Sequence, residues 1–479
     1  MKKAKTWKLK AKADAQKVFN LSKALGISKA TCSLLVRRGI NTFEQAKTFF
    51  RPQLSMLHDP FLMRDMDKAV TRLISAISTN ERICVYGDYD VDGTTSVSMM
   101  YCFLKSQSAE CDYYIPDRDH EGYGLSYEGI DSAFDKGTTL MITLDCGIKA
   151  IDKVAYAQSK GIDVIVCDHH RPGEVLPPAH AILDPKRQDC DYPFKELCGC
   201  GVGFKLIQAY LQRSALDETI AYEYLDLVAI AVGADIVPIV GENRVLAFYG
   251  LKLLNETPRM GMKALVREHK RFGAMTITDV VFTIAPRINA AGRMKHAHNA
   301  VRLMIEENEA QALKTANEIE EFNTDRRAHD QQNAKDTLLH IQTLQEDDRL
   351  KKDVYHPEWH KGVIGIVASR LIETYYRPTV VFTKSNGCLT ASVRSVKGFD
   401  VYSALEACQE HIEQFGGHKY AAGLTIKEEN YENFKNAFEN VVTETISEDC
   451  KVEVLEVDDE LQFSSLIVNP AAYLCPPNC

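Results

Sequence analysis

Several features that would assign the protein to a common class are absent from this 479-residue sequence. No apolar run approaches the roughly 18 residues that span a bilayer, so we expect no membrane-spanning helix. The N-terminus is basic but has no apolar core segment, so we do not expect a secretory signal. A basic excess is also lacking, because the net charge is −9. The chain is therefore not a basic coat for nucleic acid, although a locally basic groove remains compatible with this total.

Metal-binding cysteine pairs are absent as well. The 14 cysteines include no C-x-x-C pair. Cys198-Gly199-Cys200 is too closely spaced for an ordinary zinc pair, and Cys475 and Cys479 lie beside prolines at the end. We therefore expect reduced thiols in a cytoplasmic protein. The composition, 45% hydrophobic and 26% charged, is typical of a soluble globular protein with two or three domains.

Three alternating aspartates mark the most informative segment, R-I-C-V-Y-G-D-Y-D-V-D-G-T-T-S, at residues 82–96. The apolar run Ile83–Tyr86 predicts a buried strand, and Gly93 lies where a helix should begin. Between them stand Asp88, Asp90 and Asp92. Three like charges within five residues are unfavourable unless a cation balances them, and hard divalent cations prefer carboxylate oxygen.

Two other interpretations of this segment are a solvated acidic turn and a calcium-binding EF-hand loop. The EF-hand requires a bidentate glutamate at its twelfth position. Counted from Asp88, that position is Met99. The EF-hand interpretation is therefore excluded.

Strand-like and helix-like patterns alternate from residue 82 to about residue 240, which predicts a parallel, doubly wound α/β sheet. The helical stretches include Ser96–Ser106, Ile151–Ser159 and Tyr222–Ala234. The strand-like runs are Ile83–Tyr86, Cys111–Ile115, Leu140–Leu144, Val164–Cys167 and Ala181–Leu183.

Polar side chains follow three of these strand-like runs, the first being Asp88, which comes after Ile83–Tyr86 and Gly87. Asp145 follows Leu144, and Asp168, His169 and His170 follow Cys167. The carboxyl ends of parallel strands meet at the edge where open α/β sheets bind ligands, so we expect these residues to lie with the three aspartates. Asp235 ends a densely apolar helix and needs a partner, which a metal or a helix cap would supply.

The remaining segments give weaker signals. Residues 1–80 look helical, with breaks at Gly26, Gly39 and Pro52. They include a segment that resembles a helix-turn-helix, Ser28–Phe50, to which we assign no function. The basic N-terminus is interpreted as a solvated tail, with a phosphate-contacting arm as the alternative. Residues 299–346 are strongly helical with a polar middle, which is typical of a bridge between domains.

Three polar segments stand out in the rest of the chain, and arginine in the first of them suits bidentate phosphate binding. The segment I-A-P-R-I-N-A-A-G-R (residues 284–293) predicts a small-residue loop that carries Arg287, Asn289 and Arg293. A second, smaller α/β unit begins at Val354. Its expected strands lie near Thr379–Phe382, Leu389–Val393 and Ala421–Ile426, and its expected helices are Val363–Tyr375, Tyr402–Glu413 and Tyr431–Glu444; its polar loops are Ser392-Val393-Arg394-Ser395 and Gly416-Gly417-His418.

Taken together, these motifs resemble those of a known superfamily. The series G-D-Y-D-V-D-G, D-C-G, D-H-H and A-D-I-V-P is similar to that of the DHH phosphoesterases. The segments R-I-N-A-A-G-R, W-H-K-G-V-I-G-I-V-A-S-R and F-G-G-H-K-Y-A-A-G resemble one branch, the RecJ single-strand-specific 5′→3′ exonucleases. The resemblance covers roughly residues 75–445, in the expected order.

The resemblance implies a catalytic site with two ions, Mn²⁺ or Mg²⁺. Asp168 would orient a histidine or lie nearby structurally. Such a pair can activate a water and stabilise the leaving oxygen of an in-line displacement. The implied metal ligands are Asp88, Asp90, Asp92, Asp145, His169, His170 and Asp235.

The resemblance also implies that the second unit is a substrate-binding domain of the DHHA1 type. There Ser392, Arg394, Gly416, Gly417 and His418 would receive phosphate groups of the strand. In the first unit, Arg118 and Arg287 match positions that face DNA phosphates in the family. Arginines and exposed amides are also the groups that suit a 5′-phosphate pocket. A surface ion pair is the alternative for Arg118.

The expected domains are a helical lead-in (1–78), the DHH domain (79–298), a helical linker (299–350), the DHHA1 domain (351–446) and an incomplete C-terminal segment (447–479). Bacterial RecJ proteins usually continue into an OB-fold that grips single-stranded DNA, and this sequence ends before it. We therefore expect lower affinity and processivity than in a full-length relative. The implied partners are single-stranded DNA, a single-strand-binding protein and a helicase, with the chain itself a monomer that acts in DNA repair and recombination.

Two alternative functions stay open from the sequence. One is a related DHH enzyme that acts on short oligoribonucleotides, 3′-phosphoadenosine phosphate or cyclic dinucleotides. The other is a non-catalytic relative that only binds DNA or a replication partner, although such a protein would be expected to have lost metal ligands. The choice between Mg²⁺ and Mn²⁺, and between DNA and RNA, is also open.

Overall fold

A computed structural model of the chain describes residues 5–267, 273–343, 350–385 and 387–461. Its residues divide into two compact units, one of residues 44–323 and one of residues 1–43 together with 324–477. In the described ranges, no helix combines the length and the apolar character that a bilayer crossing requires.

The strands and helices are numbered in chain order. The strands are β1 Thr6–Leu9, β2 Ile83–Gly87, β3 Cys111–Tyr114, β4 Leu140–Leu144, β5 Asp163–Cys167, β6 Ala181–Leu183, β7 Lys352–Tyr355, β8 Thr379–Ser385, β9 Cys388–Arg394, β10 Gln414–His418, β11 Ala421–Ile426 and β12 Val454–Val457. The helices are α1 Ala15–Leu25, α2 Lys29–Arg37, α3 Phe43–Phe50, α4 Met66–Ser78, α5 Val91–Ser106, α6 Tyr127–Asp135, α7 Ile151–Ser159, α8 Gly199–Arg213, α9 Leu225–Ala234, α10 Gly241–Asn255, α11 Met260–Val266, α12 Ile277–Asp279, α13 Ala285–Met294, α14 His298–Ile305, α15 Glu309–Thr343, α16 Ile364–Tyr375, α17 Val401–Glu406 and α18 Tyr431–Thr445.

The unit of residues 44–323 is built on a five-stranded sheet in the order β3-β2-β4-β5-β6, with every neighbouring pair parallel. Alternate residues of β2 enter two cores: Ile83 and Val85 pack with α4, α5, α8 and α9, whereas Cys84 and Tyr86 pack with α6 and α7. Burial on both faces explains why the strands appear as continuous apolar runs. The predicted parallel, doubly wound sheet is confirmed.

One local prediction in this unit is wrong, and two predicted helices begin two or three residues away from their expected starts. The segment R-I-N-A-A-G-R is not a loop but lies in α13, because alanine and arginine favour a helix and Pro286 is tolerated in its first turn. The helix after β2 begins at Val91, so Gly93 lies within its first turn. The helix predicted from Tyr222 begins at Leu225, after a 3₁₀ segment.

The long helical region is interrupted once, between α14 and α15. The division between the two compact units falls at residues 323 and 324, inside α15. The polar middle of α15 is not fully solvated. Asp330 is buried and accepts a hydrogen bond of 2.9 Å from Nε of Arg370. An ion pair between a buried carboxylate and a half-exposed arginine therefore replaces the apolar stripe at this point.

The unit of residues 1–43 and 324–477 contains a mixed sheet in the order β10-β11-β9-β8-β7, in which only β7 and β8 are parallel. One face packs on α17 and α18, and the other packs on α16. The predicted polar loops are wrong here: Ser392 and Arg394 lie in β9, and Gly416-Gly417-His418 lies in β10. The helix predicted over Tyr402–Glu413 ends at Glu406, where a short 3₁₀ turn follows.

The predicted all-helical lead-in is also wrong at its start. Thr6–Leu9 forms β1, which pairs in parallel with β12. A strand so close to the N-terminus needs a distant partner, which local sequence does not reveal. The C-terminal segment contributes β12, whereas L-I-V-N-P-A-A-Y-L-C-P-P-N-C, with Cys475 and Cys479, lies outside the described residues.

Candidate metal centre

The carboxyl ends of β2, β4 and β5 bring the strand-end residues to one edge of the sheet. Asp88 follows β2, Asp145 follows β4, and Asp168, His169 and His170 follow β5. The strands are adjacent in the order β2-β4-β5. The expectation that these polar groups share one edge therefore agrees with the topology.

Asp145 has an unusual backbone conformation. Its φ is +60°, in the left-handed region that few non-glycine residues adopt. Its amide donates to the carbonyl of Cys167 at 2.9 Å, which ties the residue to β5. Gly199 approaches so closely that a Cβ there would lie 2.6 Å from the Cβ of Asp145. The start of α8 and the end of β4 therefore fit together only because residue 199 is glycine.

Asp92 lies in the first turn of α5 and is 1% exposed. Its carboxylate accepts hydrogen bonds from the amides of Gly199 and Cys200, at 2.6 and 2.8 Å. These amides form the N-terminus of α8, where a negative charge is favoured. Cys198 and Cys200 thus belong to the N-terminus of α8.

His169 lies at the centre of the cluster and is 5% exposed. Its Nε2 lies 3.1 Å from Asp145 Oδ1, 3.7 Å from Asp92 Oδ2 and 3.6 Å from Asp235 Oδ2. Within the described structure, neither ring nitrogen has a hydrogen-bond partner. Two buried, unpartnered nitrogens surrounded by carboxylates are costly unless another group bonds to them.

Donor atoms in the described residues form two sets that share His169. One set is Asp145, His169 and His170, and the other is Asp92, His169 and Asp235; in each set the donor atoms lie within 4.8 Å of one another. Carboxylate oxygen and imidazole nitrogen together suit Mn²⁺, and the carboxylates suit Mg²⁺. The residues therefore fit a divalent metal centre.

His170 is oriented by Asp168. Nδ1 of His170 lies 2.8 Å from Asp168 Oδ1, and the carboxylate also accepts from the amides of Ile148, His169 and His170. Although burial favours the neutral acid, these hydrogen bonds and the charge of His170 lower the pKa of Asp168 to about 2. Burial opposes the charged imidazole, but Asp168 raises the pKa of His170 to about 9.

Asp88 and Asp90 lie beside these sets and outside them. Asp88 is buried, accepts from the amide of Gly124 at 3.1 Å through Oδ1, and has no hydrogen-bond partner at Oδ2 in the described structure. Asp90 caps α5, with its carboxylate 3.0 Å from the amide of Gly93. Of the seven predicted ligands, the geometry gathers four around His169, namely Asp92, Asp145, His170 and Asp235, and leaves Asp88 and Asp90 outside the two sets.

Asp235 lies at the C-terminal end of α9, beside His169. It is the residue that ends α9, and its Oδ2 lies 3.6 Å from Nε2 of His169. A carboxylate is unfavourable at the negative end of a helix, so this position needs a compensating positive charge. Ile236 follows with φ of +58°, which is strained for a β-branched residue.

The acidic groups repel one another. Burial raises the pKa of Asp92 to about 7, with a further contribution from the charge of Asp235. Burial, and then the charge of Asp90, raise the pKa of Asp235 to about 7. Burial also raises the pKa of Asp88 and of Asp145 well above the ordinary value. The cluster thus favours a bound cation or bound protons.

Sequence analysis missed two residues of this edge. The Tyr123 hydroxyl lies 3.2 Å from the carbonyl of Asp145 and 3.3 Å from Nε2 of His170. Asp184 follows β6 directly and is fully buried, and burial raises its pKa to about 7. The run A-I-L-D repeats the strand-then-acid pattern of β4 and β5, and that signal could have identified Asp184.

The predicted phosphate-binding residues of this unit differ in their environments. The guanidinium of Arg118 lies 5.2 Å from the ring centre of Tyr89. Arg287 is paired with Glu320 at 2.5 Å. Asn289 and Arg293 are half-buried on α13, and a Cβ at Gly292 would lie 3.0 Å from the carbonyl of Tyr89. Arg118 and the C-terminal part of α13 therefore both approach Tyr89, which follows Asp88.

In the other unit, the predicted substrate residues form two rows across the sheet. Ser392 is opposite Gly423, which is opposite Gly416, and Arg394 is opposite Ala421, which is opposite His418. Arg394 Nη1 donates to Ser392 Oγ at 2.9 Å. The residues Gly416, Gly417 and His418 are exposed. This face therefore offers a guanidinium, a hydroxyl and open backbone.

Family models and known proteins resemble this chain over most of its length. The DHH family, N-terminal domain, matches residues 82–232, and the DHHA1 domain matches residues 346–444. The single-stranded-DNA-specific exonuclease RecJ of Bacillus subtilis is 39% identical over 94% of this chain and 57% of its own length. The Haemophilus influenzae protein of the same name is 35% identical over 89% of this chain and 77% of its own length.

Solved structures show the same likeness. A crystal structure of RecJ from Thermus thermophilus in complex with Mn²⁺ matches with a TM-score of 0.83 and 28% identity, over 96% of this chain and 65% of that one. A second crystal structure, of exonuclease RecJ bound to manganese, matches with a TM-score of 0.73 and 31% identity. This match covers 82% of the present chain and 97% of the chain in that structure. The chain thus spans a little over half of the Bacillus subtilis relative and about two thirds of the Thermus thermophilus chain.

Proposed function

This chain belongs to the RecJ family of single-stranded-DNA-specific exonucleases, and on that premise we propose that it is a metal-dependent exonuclease. Its substrate is single-stranded DNA, which it degrades from the 5′ end by phosphodiester hydrolysis. We further propose that it acts in the cytoplasm as a monomer, in DNA repair and recombination, beside a single-strand-binding protein and a helicase.

One observation carries the catalytic part of the proposal. His169 is buried among three carboxylates, and both of its ring nitrogens lack hydrogen-bond partners within the described structure. A purely structural histidine would be expected to have at least one satisfied nitrogen. This arrangement is what a site that binds Mn²⁺ or Mg²⁺ requires.

The residues that would hold two such ions are proposed to be Asp88, Asp90, Asp92, Asp145, His169, His170 and Asp235. When bound, the ions lower the pKa of a water and offset charge on the leaving oxygen. Asp168 keeps His170 in a fixed orientation through the 2.8 Å contact at Nδ1. Tyr123 contacts Nε2 of the same imidazole and adds a second constraint on its position.

Strand binding is assigned to residues of both units. Near the catalytic cluster, Arg118, Arg287, Asn289 and Arg293 would contact phosphates, and for Arg287 this requires exchange of its ion pair with Glu320. In the other unit the proposed phosphate-binding residues are Ser392, Arg394, Gly416, Gly417 and His418. A guanidinium beside exposed backbone suits the doubly charged phosphate of a 5′ end.

The test is a cleavage assay with Mn²⁺ and a 5′-phosphorylated, 3′-labelled single strand, beside its duplex. We expect stepwise loss from the 5′ end of the single strand alone. An Asp145→Ala variant should be inactive, whereas Asp152→Asn, a change at an exposed position on α7, should retain activity. Binding without cleavage would instead indicate a non-catalytic DNA-binding protein. Cleavage of dinucleotides only would indicate a small-nucleotide phosphodiesterase.

A further inference from the structure

The N-terminal segment carries a strong local excess of positive charge. Residues 1–43 contain eleven lysines and arginines and a single acidic residue, Asp14, in a chain whose net charge is −9. The rest of the chain is therefore strongly acidic. Such a separation of charge indicates a surface for a polyanion rather than a general feature of the composition.

Most of this charge is not neutralised by the fold. Strand β12 provides acidic partners for two lysines, in the pairs Lys5–Glu453 at 2.5 Å and Lys10–Asp458 at 2.7 Å. In the described ranges of the chain, no carboxylate lies within 4.0 Å of the ammonium groups of four other exposed lysines, and these remain available to a ligand. They are Lys12, Lys17, Lys23 and Lys29.

Exposed aromatic rings lie among these charges. Trp7, on β1, is 73% exposed, and Phe19, on α1, is half exposed. The ammonium group of Lys29 lies 5.7 Å from the ring centre of Phe19. Aromatic faces beside positive charges are the two features that bind single-stranded nucleic acid without sequence preference.

The basic segment is linked through β12 to the chain that follows β9, a strand with proposed phosphate-binding residues of the same unit. Glu456, on β12, is opposite Lys8, on β1. Its carboxylate also lies 3.7 Å from the ammonium group of Lys397. Lys397 follows Arg394, the end of β9, by three residues. Glu456 therefore links β1 to the segment that follows β9, the central strand of the mixed sheet.

We propose that β1, α1 and α2 form an accessory surface that binds the phosphate backbone of single-stranded DNA, with Trp7 as a stacking platform for a base. The inference deepens the proposed function and rests on it for the identity of the polyanion. The surface holds a long strand in addition to the nucleotides at the site of cleavage. A very short strand does not need it.

The test compares two variants of the full chain that each lose four positive charges. The test variant carries Lys12→Gln, Lys17→Gln, Lys23→Gln and Lys29→Gln. The control variant carries four changes at exposed positions of the unit of residues 44–323, namely Lys136→Gln, Lys252→Gln, Lys263→Gln and Lys314→Gln. Fluorescence anisotropy in EDTA measures the affinity for labelled oligothymidylates of about 6 and about 30 nucleotides over a range of salt concentrations.

We expect the test variant to bind the long strand at least about tenfold more weakly than the control variant at low salt. Each lost phosphate contact removes about 0.7 from the slope of log K against log salt. If three of the four substituted lysines contact phosphates, the slope therefore falls by about 2. Binding of the short strand, and its cleavage with Mn²⁺, should be the same in both variants. Equal affinity and slope for the long strand would overturn the proposal, as would an equal loss for both lengths.

Tryptophan emission provides a second readout of where the strand lies. The chain has two tryptophans, and Trp359 is only 6% exposed. Quenching by the long strand therefore reports on Trp7, and Trp7→Phe should abolish it. Unchanged emission at saturating DNA would remove Trp7 from the proposed surface. Because these measurements need no turnover, they stay decisive even if the wild-type chain cleaves nothing.

Discussion

The stability of the metal-free protein should fall as the pH rises from 5 to 8. Burial and mutual repulsion raise the pKa of Asp92 and of Asp235 to about 7 in the folded state, against about 4 in the unfolded chain. An acid whose pKa is raised by folding stabilises the folded protein. This stabilisation is complete below the pKa of the acid in the unfolded chain, and it is lost as the pH rises to the pKa of the acid in the folded protein. His170 acts in the same direction, because its folded pKa of about 9 exceeds its ordinary value.

The magnitude follows from the shift of a single group. Between pH 5 and pH 7, one acid with a folded pKa near 7 loses about 1.4 kcal/mol of stabilisation per pH unit, or about 3 kcal/mol in all. The shifts of Asp92 and Asp235 share one repulsion, so they do not add. Asp168, with its pKa lowered to about 2, gives a constant contribution over this range. We expect a fall of about 2–3 kcal/mol, or about 2–5 °C in melting temperature for a chain of this size.

Thermal unfolding in EDTA, with and without excess Mn²⁺, measures this effect. Mn²⁺ needs deprotonated ligands, so it should raise the melting temperature more at pH 8 than at pH 5. Asp235→Asn should reduce both the pH dependence and the Mn²⁺ effect, whereas Asp152→Asn should change neither. A metal-free melting temperature that is constant or rises from pH 5 to pH 8 would refute the reasoning.

Three further changes test other parts of the structure. Gly199→Ala places a methyl group 2.6 Å from Asp145 Cβ, so we expect at least about a tenfold loss of Mn²⁺-dependent cleavage and a smaller Mn²⁺ shift in melting temperature. Asp168→Asn removes the charge that favours the His170 imidazolium, so the pKa of His170, followed by NMR, should fall. Lys205→Met leaves the buried carboxylate of its ion-pair partner uncompensated and should cost about 3–5 kcal/mol in urea unfolding, without changing the slope of cleavage rate against Mn²⁺ concentration.

The sheet that carries the cluster was predictable because its strands are buried on both faces. Leu140–Leu144 and Ala181–Leu183 match their predicted bounds, since a continuous apolar run bounded by polar residues admits one interpretation in an alternating α/β pattern. The same alternation predicts that strand-end residues share one edge. The placement of Asp88, Asp145 and Asp168 relative to the strands therefore followed from sequence alone.

Elements made of small or glycine residues were not predictable locally. Gly416 and Gly417 suggested a turn, yet they pair with Gly423 and Ala422 in an antiparallel ladder. A Cβ at Gly417 would lie 2.4 Å from the carbonyl of Ala421, so glycine serves close approach here rather than chain reversal. The pairing partner decides this conformation, and it lies outside any local window.

Which acids surround the imidazole also depended on tertiary packing. Asp90 and Asp92 are two residues apart, but Asp90 caps the helix that Asp92 enters, and the N-terminus of α8 then fixes Asp92 through two amides. Asp235, 143 residues after Asp92, completes the group because α9 ends there. A spacing pattern identifies candidate ligands, but the helix termini that the fold brings to the sheet edge select which carboxylates face His169. Asp184 differs, because the run A-I-L-D already shows the strand-then-acid pattern, and the pairing of β5 with β6 places this residue at the same edge of the sheet.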